Sequence, residues 1–197
     1  MADEHRRASS IVLSHSDAHV SDLYPRRKHP AVLRYKAATL ELLGTANTQL
    51  SDGWGLTTRG GRNRLLATDG SAQVSTLDAR TLRTVSAVTV RDAGRDVRLL
   101  NELEFIDGEV WANIWLTDCI ARIDPETGRL NGWLLMHGLR GSDVRSPGED
   151  VLNGIAWDGA ANGGRLFVTG KLWPKLYEIR VVEKTGELDT ARQACIR

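Results

Sequence analysis

Cysteine is scarce in this chain. Cys119 and Cys195 are the only two, far apart and with no ligand beside them, so neither a disulfide framework nor a zinc site is signalled and both are expected as plain thiols. Histidine is scarcer still in the body: four of the five fall before residue 30, and His137 stands alone. With no partner at ligand spacing, a metal site or a Ser-His pair there is disfavoured. No phosphate-cradling glycine loop occurs, and nothing calls for a cofactor. An excess of either charge is also absent, since 26 Lys and Arg meet 25 Asp and Glu; the balance gives no reason to expect nucleic acid, a membrane surface or an acidic substrate as partner. No apolar run approaches the roughly 20 residues of a membrane helix. The opening Met1 to Ser10 is polar and charged where a secretory signal turns apolar, so the chain as given carries no export signal and its compartment is left open.

What is present suits a globular β protein. Of 197 residues 41% are hydrophobic, enough for one domain with a core. Residues 1–34 differ from the rest: they hold His5, His15, His19 and His29, contain no tryptophan, and close on the basic run Arg26-Arg27-Lys28-His29-Pro30. A disordered leader is expected there, in preference to a metal-binding tail or a nuclear address. Residues 35–197 are expected to form the folded part.

The most informative stretch is Leu100 to Trp133. A first strand over Asn101 to Phe105 ends at Asp107-Gly108, a pair suited to a tight hairpin. A second strand runs from Glu109 to Trp115, and a third, Cys119 to Ile123, stops at Asp124-Pro125-Glu126-Thr127-Gly128. This meander recurs. The strand starts Gly53-Trp54-Gly55-Leu56, Asn101-Glu102-Leu103-Glu104 and Asn153-Gly154-Ile155-Ala156 align with Leu56, Leu103 and Ile155 in register, and second strands follow at Leu65, Val110 and Leu166. Third strands end in similar turns at Asp78 to Leu82 and Asp124 to Gly128, with Glu183-Lys184-Thr185-Gly186 as a looser copy and Tyr35 to Gly44 as another such ending, preceded by nothing that reads as strands. Four-stranded meanders repeating every 40 to 60 residues predict an all-β fold of the β-propeller type, in which each blade buries its faces against its neighbours. About three and a half blades are legible, an incomplete ring.

The motifs themselves resemble a known family. Gly53-Trp54-Gly55-Leu56-Thr57, Thr68-Asp69-Gly70-Ser71, Leu100-Asn101-Glu102-Leu103-Glu104, Trp111 to Asp118, Leu152-Asn153-Gly154-Ile155-Ala156 and Val168 to Tyr177 are similar, in order, to the plant and bacterial type of glutaminyl cyclase. The resemblance implies a five-bladed propeller that converts the N-terminal glutamine of peptides to pyroglutamate and releases ammonia. It covers Tyr35 to Tyr177; the family's two opening blades, with the glutamate that is its proposed proton shuttle, have no counterpart among the motifs. Carried over by position, Asn101 and Lys171 are expected as catalytic residues and Trp54, Trp115 and Asn153 as substrate-binding residues, with no metal and no cofactor.

The repeats place these residues independently. Trp54, Asn101 and Asn153 hold one equivalent position at the start of successive first strands; Trp115 and Lys171 share a second, with Gly70 as the third copy. Convergence of such groups at one mouth makes a pocket. Glu102 and Glu104 are the nearby carboxylates, but strand alternation turns them to the face opposite Asn101, away from a shuttle's role. The expected partners are peptides or proteins with N-terminal glutamine, and further copies of the chain docking through open blade edges. The alternative is an inactive propeller fragment or a peptide-binding scaffold.

Overall fold

The computed structural model describes residues 12–13, 19–26, 29–36, 38–60, 63–141, 148–159, 163–183 and 188–196. Strands β1 (Val12–Leu13), β2 (His19–Arg26), β3 (His29–Lys36) and β4 (Leu42–Asn47) form a first sheet, and β5 (Gly55–Thr58), β6 (Arg64–Thr68), β7 (Gln73–Asp78) and β8 (Thr84–Thr89) a second. The short hairpin β9 (Arg91–Asp92) and β10 (Arg95–Asp96) leads to a third sheet of β11 (Leu100–Ile106), β12 (Glu109–Ile114), β13 (Cys119–Ile123) and β14 (Leu130–Leu135). The fourth sheet has three strands, β15 (Leu152–Trp157), β16 (Leu166–Gly170) and β17 (Tyr177–Ile179), and helix α1 (Leu188–Cys195) follows. Every sheet is an antiparallel meander in chain order.

Turn chemistry explains the meanders. Asp107 and Gly108 both take positive φ (47° and 87°), the mirror-image turn that joins β11 to β12 with two residues. Between third and fourth strands one turn recurs three times. Leu40 N–H bonds to Lys36 O at 2.7 Å, Leu82 N–H to Asp78 O at 2.7 Å, and Gly128 N–H to Asp124 O at 2.9 Å. In the last two, an Asp carboxylate also accepts backbone N–H groups of the turn, from Arg80 and Thr81 and from Glu126 and Thr127. The segment Tyr35 to Gly44 is thus a repeat ending, as its sequence implied.

The sheets bury their faces against one another. Leu65, Ala67 and Leu77 pack with Val32 and Leu50 toward the first sheet, while Leu66 and Val74 pack with Leu100, Leu103, Val110, Ala112 and Ile114 toward the third. On the other face of the third sheet Ile106, Trp111, Ile120 and Leu134 meet Leu152, Ile155, Leu166 and Val168 of the fourth. Both faces of an inner sheet are apolar because both are covered. The first strands β5, β11 and β15 lie side by side. Leu56, Leu103 and Ile155 sit opposite Ala67, Ala112 and Val168, the register expected from the repeats.

Two expectations change. The boundary placed at residue 35 falls inside β3, and β1 and β2 precede it, where no strands were legible. Their sequence conceals them: β2 and β3 are rich in histidine, arginine and polar residues, and Pro25 faces Pro30 near the hairpin end, a residue that reads as a strand breaker. His5, His15, Arg27, Lys28 and Lys184-Thr185-Gly186 lie outside the described residues. The second change concerns the cysteines, which are joined: Cys119 at the start of β13 and Cys195 at the end of α1 form a disulfide spanning 76 residues. The helix skips past the fourth sheet and returns to the third, so that Cys195 and Ile196 enter the core between second and third sheets. Arg192 reinforces the return by gripping both carboxylate oxygens of Asp92, at 2.8 and 2.9 Å, while Trp133 Nε1–H donates to Asp92 at 3.0 Å. Burial alone would raise the Asp92 carboxyl, but the bonds from Arg192 and Trp133 hold it below its ordinary value.

Candidate functional site

The five residues singled out by the repeats lie at the starts of first strands and the ends of second strands. Trp54 immediately precedes β5, Asn101 and Asn153 are the second residues of β11 and β15, Trp115 follows β12, and Lys171 follows β16. A local irregularity sits at both asparagines: pairing shifts between Leu100 and Leu103, and again between Leu152 and Ile155. Such a bulge re-aims side chains at a strand end.

Trp54 and Trp115 touch edge-to-face, with ring centroids 5.3 Å apart and planes at 83°, a favoured aromatic geometry. Trp54 is fixed on further sides. Its Nε1–H donates to Asp52 Oδ2 at 2.9 Å, and its backbone N–H bonds to Thr68 O at 3.0 Å. The ring fills the space over Gly70, where a Cβ would come within 2.7 Å of it. The third copy of the Trp115 and Lys171 position is therefore glycine for a steric reason.

Asn101 is buried, and its side-chain oxygen finds no hydrogen-bond partner among the described residues; the same holds for the buried Oδ1 of Asn153. Unpartnered buried amides are uncommon, and these two are repeat-equivalent. Each can offer an acceptor or, turned over, an N–H donor. Lys171 stands at the same end of the fourth sheet as Asn153: Leu152 pairs with Gly170, and Lys171 N–H bonds to Val151 O at 3.0 Å. Lys171 is half-buried as a residue, and its ammonium makes no ion pair among the described residues.

The candidate site is thus a rim of strand ends on three neighbouring sheets, in which Trp54 and Trp115 touch. Two clefts lie elsewhere: one of about 660 Å³ between β14, the segment after β17 and α1, and one of about 540 Å³ beside Thr117, Arg140 and Asp150. None of the five residues lines either. His137 borders both, and among the described residues no three His, Cys, Asp or Glu side chains gather as a metal would require.

Sequence reasoning passed over the groups that join the sheets at this rim. Thr68 and Asn113 are repeat-equivalent residues on β6 and β12, both fully buried. Thr68 Oγ1–H donates to Asn101 O at 2.7 Å, and Asn113 Oδ1 accepts Gly154 N–H at 3.0 Å. A polar residue at the same register of two otherwise apolar second strands is the signal that marks them. Gly55 makes the first contact possible, since a Cβ there would lie 2.0 Å from Asn101 O. Glu102 and Glu104 belong to the same seam. With Ile106 they share the face turned toward the fourth sheet, and their carboxyls accept the N–H groups of Ile155 and Trp157, each at 3.0 Å. Burial pushes the Glu102 carboxyl up to about 8, with the charge of Glu104 adding, and burial raises Glu104 as well.

A family model described as glutamine cyclotransferase matches residues 26–181. A glutaminyl-peptide cyclotransferase of Arabidopsis thaliana is 49% identical over 140 residues, which are 70% of this chain and 42% of that protein, so the chain spans less than half the length of that curated relative. The crystal structure of Myxococcus xanthus glutaminyl cyclase is similar with a TM-score of 0.69 at 26% identity, over 89% of this chain and 91% of that one. A chain of a nidogen/laminin complex shares the fold alone, with a TM-score of 0.52 at 12% identity over 68% of this chain and 50% of that one.

Proposed function

As the chain belongs to the glutamine cyclotransferase family, we propose that its rim binds the N-terminal glutamine of a peptide or protein and serves its conversion to pyroglutamate with release of ammonia. The observation that carries this reading is the pair of unpartnered, repeat-equivalent amide oxygens of Asn101 and Asn153, on first strands of the sheets that follow the one Trp54 opens. We infer further that the sheets are consecutive blades of the family's five-bladed propeller, their first strands turned to a common axis.

The reaction asks little of the protein beyond positioning. The neutral α-amine attacks the carbon of its own side-chain amide, a ring C–N bond forms through a tetrahedral intermediate, and the amide nitrogen departs as ammonia. Overall one proton passes from the attacking amine to the leaving group. Because attack is intramolecular, holding one rotamer supplies much of the rate. The indoles of Trp54 and Trp115 fold the glutamine side chain and shield it from water. Asn101 and the Lys171 ammonium hold the amide oxygen as negative charge develops on it. Asn153 takes an N–H of the substrate's amine or backbone. The second reading, a scaffold that binds such peptides without turning them over, uses the same contacts and needs no route for that proton.

The test is ammonia release from a Gln-initiated dipeptide, run beside binding of that dipeptide followed by tryptophan fluorescence. Turnover lost in Asn101→Ala and Lys171→Ala supports the catalytic reading. Binding without turnover supports the scaffold, and no response of either kind refutes both. We also propose self-association through open sheet edges. Leu42 and Leu43 on β4 are about half exposed (53% and 48%), and a strictly monomeric chain by light scattering at micromolar concentration counts against it.

A further inference from the structure

First strands of neighbouring sheets lie side by side here without pairing through their backbones, so something else must set their separation. Between β11 and β15 the joining groups are carboxyls. Ile155 and Trp157 pair with Val168 and Leu166 on one side, and their N–H groups point out of the fourth sheet toward the third. Left unmet, two half-buried backbone donors would be costly. Glu102 and Glu104 meet them with matched spacing, two residues apart on each strand and 53 residues apart along the chain in both cases. Asn113 Oδ1 takes the neighbouring Gly154 N–H. The result is a ladder made with side-chain oxygens in place of carbonyls, beside Asn101 on one strand and Asn153 on the other.

We propose that Glu102 and Glu104 are positioning residues, which hold β15 against β11 and thereby fix Asn153, and Lys171 with it, relative to Asn101. The functional importance of that spacing rests on the glutamine-binding reading above; the spacing itself does not. Lys171 is included because β16 is paired to β15 right up to Leu152 and Gly170, so the two residues move as one unit. Glu102 keeps some exposure as a residue, yet its carboxyl is deep enough that burial raises it to about 8. Near neutral pH it is then an uncharged acid, and an acid's carbonyl oxygen accepts the Ile155 N–H as the amide oxygen of glutamine would. A leucine at this position offers no acceptor.

These requirements define the experiment. In the full, isotopically labelled chain, amide hydrogen exchange at Ile155 and Trp157 and the side-chain amide resonances of Asn101 and Asn153 are compared among wild type, Glu102→Gln, Glu102→Leu, Glu104→Gln and Glu104→Leu. Affinity for a Gln-initiated dipeptide is measured alongside. Each Leu variant is expected to exchange its partner amide about 10- to 100-fold faster, as loss of one buried hydrogen bond implies, to shift the Asn153 resonances, and to weaken the dipeptide about tenfold or more. Each Gln variant is expected to restore all three. Unchanged exchange and resonances in both Leu variants overturn the proposal, as does fast exchange with the Asn153 resonances unmoved. Loss of ammonia release in Glu102→Gln with amide protection and affinity intact overturns it for Glu102 and makes that residue a proton carrier. If wild type binds no dipeptide, the functional reading fails, and exchange and resonances still decide whether the carboxyls set the spacing.

Discussion

Glu102 is expected to make the stability of this chain fall as pH rises through the neutral range, by an amount set by its environment. Its carboxyl is raised from an ordinary 4.5 to about 8, first by burial and then by the charge of Glu104. Between those values the folded chain holds a proton that the unfolded chain has released. Stability therefore declines with pH across this window, by up to about 1.4 kcal/mol per unit for one such group. The stability is fully present below the unfolded value, and its loss is complete once pH passes the folded one. Over the interval of 3.5 units (8 minus 4.5) the ceiling is about 5 kcal/mol, and relaxation around the ionised group reduces it. Glu104 is raised too and acts with the same sign. Asp69, Asp92 and Glu109 are lowered, so their contributions are lost only on acidification below the ordinary carboxylate range and do not mask the effect.

Urea unfolding followed by tryptophan fluorescence at half-unit steps from pH 5 to 8.5 measures this directly. Wild type should lose about 1 kcal/mol per unit across most of the range, and Glu102→Gln, which cannot ionise, should give a flatter curve that overtakes wild type at the alkaline end. The comparison needs equal m-values, so that the difference is one of stability and not of residual structure. Parallel curves, within about 0.5 kcal/mol throughout, would mean that the carboxyl titrates normally and that the seam between the sheets is wet. That result would refute the reasoning even if Glu102 still bonds to Ile155.

Other perturbations test other joints of the molecule. Replacing both cysteines by serine reopens a loop of 76 residues and should cost about 4.5 kcal/mol by the chain-entropy relation; an unchanged urea midpoint with and without reductant would deny that the disulfide clasps α1 to the third sheet. Gly70→Ala places a Cβ 2.7 Å from the Trp54 ring at a residue with φ of +80°. It should destabilise by about 1–3 kcal/mol and abolish the near-ultraviolet dichroism of the Trp54–Trp115 contact, whereas an unaltered spectrum would show that the ring is not held there. Asp92→Ala leaves Arg192 with the exposed Asp189 as its remaining partner and strands the Trp133 indole N–H, at about 1–3 kcal/mol. The expected sign is preferential loosening of α1, read as faster amide exchange in residues 188–196 before the sheets respond.

Much of this architecture is legible in the sequence because a repeat states each local rule several times. Leu56, Leu103 and Ile155 each come ahead of an apolar second strand, and the structure puts each opposite a small or branched partner in that strand. The Asp78 and Asp124 turns announce themselves by an acceptor side chain followed by Thr and then a residue with positive φ. Where the chain says something once, reading fails. The strands β1 and β2 do not share the alternation of the later copies, and Pro25, Pro30 and the basic residues between them read as a tail. The disulfide has the same origin, since nothing around Cys119 or Cys195 encodes that α1 bypasses the fourth sheet.

The candidate site divides along the same line. Its five candidate side chains are singled out by equivalence between copies, whereas the bonds that join neighbouring sheets act between copies, and alignment of a repeat onto itself cannot reveal a bond from one copy to the next. Thr68 holds Asn101 through a hydroxyl, and Asn113 holds Gly154 through an amide, at one register with different chemistry. The glutamates occur in the third sheet alone; the matching positions of the second are Gly55 and Thr57 and those of the fourth are Gly154 and Ala156. The seam between second and third sheets can close by direct approach, because Gly55 admits the Asn101 carbonyl. The seam between third and fourth is spanned by longer side chains that end in a carboxyl. The two seams therefore differ in what holds them, a backbone carbonyl seated over Gly55 in one and carboxyls that accept the Ile155 and Trp157 N–H groups in the other, although the sheets they join share one strand order.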